Sequence, residues 1–407
     1  MKTLAILVGG GPAPGINAVI AAATIEARNH GVRVIGCYDG FKWLVQGDTS
    51  HVTELDIGEL SRIHFEGGSI LRTSRTNPTK SSDGIRYVSE TLQRLEVNHL
   101  ITIGGDDTCF AASRLAKAMS GLTVAHVPKT IDNDLPLPGD VMTFGFTTAV
   151  NLGKDLVRNL MNDAATTERW FFVTVMGRHA GHLALGIGGS AAATLTVVGE
   201  EFREQQISLD RLADILEGAI LKRRSHGRDH GVALLAEGIG EKLDPTTLGE
   251  VERDAYGNVR LAELDLGQLV KARVAQSLRA RGLDVTIVAK DLGYELRCAP
   301  PGATDIQYCR SLGYWATRFL LEGGSNAMVT IQAGRLVPIP FGLMLDPKTG
   351  KIRVRYVDLE SEAYQTLNAY MIRLKKEDFE NPETVTAIAK AGNLTETEFV
   401  TRFKPIV

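Results

Sequence analysis

Leu4-Ala5-Ile6-Leu7-Val8-Gly9-Gly10-Gly11-Pro12-Ala13-Pro14-Gly15-Ile16-Asn17 is an apolar run that breaks into glycines and resumes at helical spacing. A short continuous apolar run marks a strand buried on both faces. Ile16–Asn29 then carries apolar residues on one helical face, with no Pro or Gly. Strand, Gly-rich turn and helix make half of a βαβ unit, and the same cycle recurs. Val32–Tyr38, His99–Ile103 and Thr123–Val127 read as buried parallel strands, and Thr108–Met119 as a helix. The alternation predicts a doubly wound α/β sheet.

After about residue 140 the pattern starts again. Helices are expected at Thr147–Asp163, Leu209–Arg223, Leu264–Arg281 and around Tyr308–Glu322, with strands at Phe171–Val175, Val232–Leu235 and Val285–Ala289. The length, 407 residues, suits two α/β lobes. No Pro/Ser-rich linker divides them, so the lobes are expected to share chain crossings. The expected division is 1–140 plus 297–345 and 141–296 plus 346–407. Asp346-Pro347-Lys348-Thr349-Gly350 is a turn signal between strand-like segments, and the tail from Glu360 reads as charged and helical.

A formal charge of -3 gives no global field favouring nucleic acid or an acidic membrane. The run Leu4–Val8 is too short for a signal sequence or a membrane span. Cys37, Cys109, Cys298 and Cys309 form no C-x-x-C pair and read as reduced thiols of a cytosolic protein.

Three loops at strand ends carry the chemistry. The glycines of Gly9–Asn17 let backbone approach an anion, and the following helix N-terminus adds a favourable dipole. A tight turn or half of a dinucleotide site would look alike, and G-x-x-x-x-G-K-[ST] is not matched. Gly104-Gly105-Asp106-Asp107-Thr108 offers room for phosphate and a carboxylate for Mg²⁺, or an Asp cap for the next helix. Pro128-Lys129-Thr130-Ile131-Asp132-Asn133-Asp134 sets two carboxylates beside a lysine. That set suits phosphoryl transfer, though a polar loop with Asx turns has the same composition.

Gly-Gly-Asp-Asp-Thr followed by Pro-Lys-Thr-Ile-Asp-Asn-Asp resembles the phosphofructokinase family. Met176-Gly177-Arg178-His179-Ala180-Gly181, Ala236-Glu237-Gly238 and Gly293-Tyr294-Glu295-Leu296-Arg297 agree in order, and the resemblance spans about residues 3–340. The opening Gly9–Asn17 is similar to that of the pyrophosphate-using branch. The resemblance implies two Rossmann-like lobes with mainly parallel sheets and an active site in their cleft. It implies phosphoryl transfer from pyrophosphate to the 1-hydroxyl of fructose 6-phosphate with Mg²⁺, in a homodimer or homotetramer. ATP is the alternative donor.

The resemblance also implies roles. Gly10 binds the donor phosphate through its N–H, Asp106 holds Mg²⁺, and Thr130, Ile131 and Asp132 meet the sugar's 1-hydroxyl end with Asp132 as base. Asp134 structures the loop or orients metal. Met176, Gly177 and Arg178 contact the sugar phosphate, and Arg178 also offsets charge on the transferred group. Glu237 accepts sugar hydroxyls. Tyr294, Glu295, Leu296 and Arg297 form the 6-phosphate segment. Arg75 bridges the donor and acceptor phosphates, and Arg169 reaches the 6-phosphate of a neighbouring subunit. Asp107 and Lys129 set the donor: the carboxylate obstructs a nucleotide's further phosphate, and the ammonium binds pyrophosphate.

Two positions depart from the ATP-using branch, which commonly has His at Tyr294 and Arg at Val288; Lys290 is a candidate replacement for the latter. His179 and His182 lack an obvious third ligand and read as helix-start residues, and Trp43, Trp170 and Trp315 as packing residues. A lipid or NAD kinase would lack the Pro-Lys-Thr-Ile-Asp-Asn-Asp and Met-Gly-Arg segments. An inactive paralogue would have lost Asp106 or Asp132, and both are present.

Overall fold

The computed structural model describes residues 2–203, 206–247 and 264–407. The chain forms two compact units, Met1–Ala149 with Tyr294–Arg355, and Val150–Gly293 with Tyr356–Val407. The crossings fall at 149/150, 293/294 and 355/356, beside the expected 140/141, 296/297 and 345/346. The first crossing runs through a single helix, Phe146–Thr167. Its N-terminus is held in the first unit by buried Asp305, which accepts from Gly145 N–H (2.9 Å), Thr148 N–H (2.8 Å) and the Thr147 hydroxyl (2.7 Å). A carboxylate there satisfies orphan N–H groups and favours the helix dipole.

The first unit is built on a seven-stranded sheet in the order Ile339–Pro340, Ala327–Met328, Thr123–Pro128, His99–Gly104, Thr3–Val8, Arg33–Cys37, Val52–Glu54. The five strands from Ala327–Met328 to Arg33–Cys37 are parallel, and the two outermost pair antiparallel. Thr3–Val8 is buried along its length, as its unbroken apolar run requires. Helices Ile16–Asn29 and Ala303–Leu321 lie side by side because Gly313 lets one backbone reach Val19 O of the other. The short strands Val52–Glu54, Ala327–Met328 and Ile339–Pro340 and the helix Gly84–Arg94 are additions to the sequence reading.

The second unit has a four-stranded parallel sheet, in the order Leu195–Val197, Gly231–Ala236, Trp170–Val175, Ile287–Leu292. The last of these begins two residues later than Val285–Ala289, the expected strand, and is an edge strand with Lys290 and Asp291 exposed. The tail is helical, as its pattern predicts. Phe399 and Phe403 of Glu396–Phe403 are fully buried. Arg402 binds Asp214 (2.5 Å) and fully buried Glu217 (2.9 Å) on the helix Leu209–Ser225, and Glu217 also pairs with Arg281. Among the described residues, no helix is long and apolar enough to cross a membrane.

Asp346–Gly350 closes a turn, Gly350 N–H donating to Asp346 O at 2.8 Å, with a single antiparallel bridge from Leu345 to Ile352 beyond it. Cys37, Cys109 and Cys309 are buried, and burial pushes the Cys37 thiol up to about 12 and the other two upward as well. Cys298 is exposed. Trp170 packs in the core, whereas Trp43 stacks on His51 and Trp315 meets Tyr314 edge-on at the surface.

Candidate active site

The three loops singled out from the sequence leave the carboxyl ends of three adjacent strands in the first unit. In parallel α/β sheets this edge binds ligands. The loops are fastened to one another. Gly9 N–H donates to Ile103 O (2.9 Å) and Lys129 N–H to Gly104 O (2.9 Å). Side chains at Gly9 and Gly104 would both collide with Thr108, so glycine lets these loops close on that threonine. Asp106 and Asp107 occupy the first turn of the helix Asp106–Ala118, where the macrodipole favours anions.

Thr73-Ser74-Arg75 lies alongside the first loop. Gly10 N–H donates to Ser74 O at 2.8 Å, and the Thr73 hydroxyl donates to Gly10 O at 2.7 Å. Gly10 already has an acceptor for its amide in Ser74 O. Its φ of 81° is left-handed, and a side chain there would come within 3.4 Å of Lys129 Nζ. The buried Lys129 ammonium donates to Gly11 O. A side chain at Gly11 would meet the Arg297 guanidinium. Exposed Arg75 follows Ser74, and Asn77 Nδ2 donates to Asp107 Oδ1 at 3.1 Å. The segment 73–77 therefore links Gly10 to Asp107 and carries Arg75 between them.

Asp132 is 8% exposed, and its N–H donates to Thr130 Oγ1 at 3.0 Å. Asn133 has a left-handed φ of 56°, which a short polar side chain tolerates. Its Oδ1 accepts from Thr143 N–H at 3.1 Å, and the Thr143 hydroxyl closes on Thr130 O at 2.7 Å. Tyr294 is exposed and lies 5.3 Å from the Arg297 guanidinium, while Leu296 is fully buried and acts through packing. Tyr294–Arg297 belongs to the first unit, not divided at 296/297 as expected.

In the second unit, Met176-Gly177-Arg178 follows the strand Trp170–Val175. Glu237 Oε2 accepts from the N–H groups of both Gly177 and Arg178 at 3.1 Å. That fixes a turn in which Arg178 has a φ of 50°. A side chain at Gly238 would strike Arg178 O, so Glu237-Gly238 and Met176–Arg178 form one packed pair. Glu200 Oε1 holds the far end of the loop by accepting from Gly181 N–H (2.9 Å) and Val357 N–H (3.0 Å). His182 opens the helix His182–Ala191, and His179 pairs with Glu241 at 2.6 Å. Among the described residues, no cluster of His, Cys, Asp or Glu of metal-binding type is present. Arg169 precedes the same strand. With six residues between it and Met176, it stands ~20 Å away at the opposite sheet edge.

Two residues passed over in the sequence support these loops. Fully buried His126 donates from Nε2 to Gly104 O (3.0 Å) and accepts at Nδ1 from Thr102 (2.8 Å), and burial pushes it down to about 3. Arg355 donates from Nε to Asn133 O (3.1 Å) and from Nη1 to Val141 O (2.7 Å). Burial lowers its pKa, opposed by the Asp134 charge. The adjacent loop glycines hint at His126; nothing local hints at Arg355, which lies 222 residues from Asn133.

The Phosphofructokinase family profile matches residues 3–320. A Thermotoga maritima protein named pyrophosphate–fructose 6-phosphate 1-phosphotransferase is 51% identical over 411 residues, covering 99% of this chain and 98% of its own. One of the same name from Naegleria fowleri is 48% identical over 420 residues, covering 100% and 96%. The solved structure of a pyrophosphate-dependent phosphofructokinase from Nitrosospira multiformis shares the fold, with a TM-score of 0.68 at 18% identity over 91% of this chain and 90% of that one. A profile that begins in the first strand and runs past every loop described above, joined to full-length identity near one half, means that the chain belongs to the phosphofructokinase family.

Proposed function

We infer that this chain is a pyrophosphate-dependent phosphofructokinase. It transfers a phosphoryl group from pyrophosphate to the 1-hydroxyl of fructose 6-phosphate, giving fructose 1,6-bisphosphate and phosphate. The observation that carries this reading is identity of 51% and 48% along the whole chain to relatives of that name. Asp132 takes the hydroxyl proton as the O1–P bond forms and the bridging P–O bond of pyrophosphate breaks. Lys129, Arg75 and Arg178 offset charge on the transferred group. Met176, Gly177, Arg178 and Glu237 are assigned to the sugar phosphate and its hydroxyls, with Glu237 Oε1 as acceptor because Oε2 is occupied by two backbone N–H groups. Tyr294 and Arg297 are assigned to the 6-phosphate.

Mg²⁺ takes one or two protein carboxylates and completes its shell with phosphate oxygens and water. Asp106, in the first turn of its helix and on the loop bonded to Lys129, fits that donor set. The ion would neutralise charge on the donor phosphates. Arg169 supports self-association. It lies a full strand length from Met176 of its own chain, so its assigned role requires a second copy. Reduced thiols support a cytosolic location.

The test is kcat/KM for pyrophosphate and for ATP with fructose 6-phosphate at fixed Mg²⁺. Pyrophosphate is expected to be strongly preferred, and a preference for ATP would overturn the donor assignment. Asp107→Gly is expected to raise ATP-dependent and lower pyrophosphate-dependent turnover, more so combined with Lys129→Gly. Equal losses with both donors would make Asp107 purely structural.

A further inference from the structure

We propose that Arg355 is a positioning residue for the reaction, holding the loop that presents Asp132. The proposal rests on the reading of Asp132 as the base. After Asp134 the chain runs Leu135-Pro136-Leu137-Pro138-Gly139. Two prolines remove two N–H donors from the stretch, and Leu137 N–H turns back to Leu135 O (2.7 Å) and Val141 N–H to Pro138 O (3.2 Å). Its carbonyls must find donors elsewhere.

Arg355 supplies one for Leu137 O and holds the carbonyls of Asn133 and Val141 on either side. Nε and Nη2 donate to Asn133 O at 3.1 and 3.0 Å, and Nη2 also donates to Asn133 Oδ1. Nη1 donates to Val141 O at 2.7 Å and Leu137 O at 3.3 Å, and the Arg355 backbone N–H donates to Asp134 O at 2.8 Å. The guanidinium thus gathers both ends of the 133–141 stretch on one planar fork. A lysine, with its donors at one point, cannot span that set of oxygens.

The clamp bears directly on Asp132. Asn133, the next residue, is held at its carbonyl and its side-chain oxygen, and that side-chain oxygen also takes Thr143 N–H. The Thr143 hydroxyl then closes on Thr130 O. Thr130 to Asn133 is a closed ring with Asp132 inside it, and Arg355 secures one corner. Leu135 and Leu137 anchor the stretch in the first unit's apolar core, while residues 138–143 line a cavity of about 510 Å³, so at that end the hydrogen bonds of the clamp add to the packing.

The experiment compares the wild type with Arg355→Met and Arg355→Lys under steady-state turnover with pyrophosphate and fructose 6-phosphate, with folding checked by urea denaturation. Arg355→Met is expected to lower kcat about 10²-fold while both KM values change only a few-fold, since a small misplacement of a catalytic group has that effect. Arg355→Lys is expected to fall between the two, and millimolar methylguanidinium to restore part of the turnover of Arg355→Met. Near-native kcat in a folded Arg355→Met would overturn the proposal. So would a loss in the folded variant that methylguanidinium does not rescue. If Arg355→Met does not fold, the kcat-against-KM split of Arg355→Lys decides. An active wild type with unaffected variants sinks this inference alone; an inactive wild type sinks the functional reading with it.

Discussion

The loops assigned to the site are fixed with opposite chemistry in the two units. In the first, side-chain donors hold backbone oxygens: Lys129 takes Gly11 O, Thr73 takes Gly10 O, His126 takes Gly104 O, and Arg355 takes Asn133, Leu137 and Val141 O. In the second, carboxylates hold backbone N–H groups: Glu237 takes Gly177 and Arg178, and Glu200 takes Gly181 and Val357. On the proposed reading, the first set is the one that meets the anionic phosphoryl donor. In the second set, the Glu237 carboxylate fixes the turn at Gly177 and Arg178 through their N–H groups. The same need, to satisfy buried backbone groups away from a regular ladder, is met with donors in one set and acceptors in the other.

The sharpest way to break this contrast is Asp132→Ala. If the first unit carries the chemistry, kcat falls roughly 10²–10⁴-fold, the range for a general base, while the KM for fructose 6-phosphate changes little. Steady-state turnover in both directions checks this. Near-native turnover would remove Asp132 from the role.

Next comes a stability effect confined to the second unit. Glu217 is fully buried between Arg281 and Arg402. Arg281→Met removes one partner of a buried ion pair, which costs about 3–5 kcal/mol. Urea denaturation should show that loss. The remaining Arg402 contact would place the value at the lower end, and an unchanged midpoint would mean that Arg402 alone compensates Glu217.

Glu237→Gln sharpens the contrast from the other side. The amide oxygen can still accept from Gly177 and Arg178, but without charge assistance, a loss of about 1–1.5 kcal/mol or roughly tenfold. The loss is expected in KM for fructose 6-phosphate rather than in kcat. An effect on kcat alone would move Glu237 from sugar binding to the chemistry.

Much of this was readable in advance, and the reasons are physical. Buried parallel strands such as Leu4–Val8 and Thr123–Val127 are unbroken apolar runs, and the loops after them carry glycines and paired carboxylates whose types are rarely interchangeable. Short strands such as Ala327–Met328 were not legible, because a two-residue pairing has no period to detect. The commitment of Gly10 N–H to Ser74 was hidden for another reason. Sequence shows that a glycine permits a turn, not which neighbour takes its amide. Arg355 was hidden by distance along the chain. Its partners are carbonyls, which every residue has, so no residue type marks the acceptor side of the clamp.

The smallest expected effect tests whether the first unit's neutral donor at His126 must stay neutral. His126 is fully buried, and its Nε2–H is used on Gly104 O while Nδ1 accepts from Thr102. Both nitrogens are thus satisfied in one neutral tautomer, and a proton at Nδ1 would reverse the Thr102 bond, leaving the buried Thr102 hydroxyl hydrogen to find another acceptor. Its folded-state value of about 3 lies below the ordinary value of about 6.5 in the unfolded chain. Between those values the unfolded chain binds the extra proton. The contribution is therefore complete above about pH 6.5 and is lost as pH falls toward 3, at a slope of at most about 1.4 kcal/mol per pH unit. His126→Gln keeps a donor and an acceptor but cannot titrate. Urea unfolding at pH 7, 6 and 5 should show a shallower decline for the variant than for the wild type. Parallel declines would mean that His126 stays neutral in both states or that its burial is relieved before unfolding, and would leave Lys129 and Arg355 as the donors that distinguish the first unit from the second.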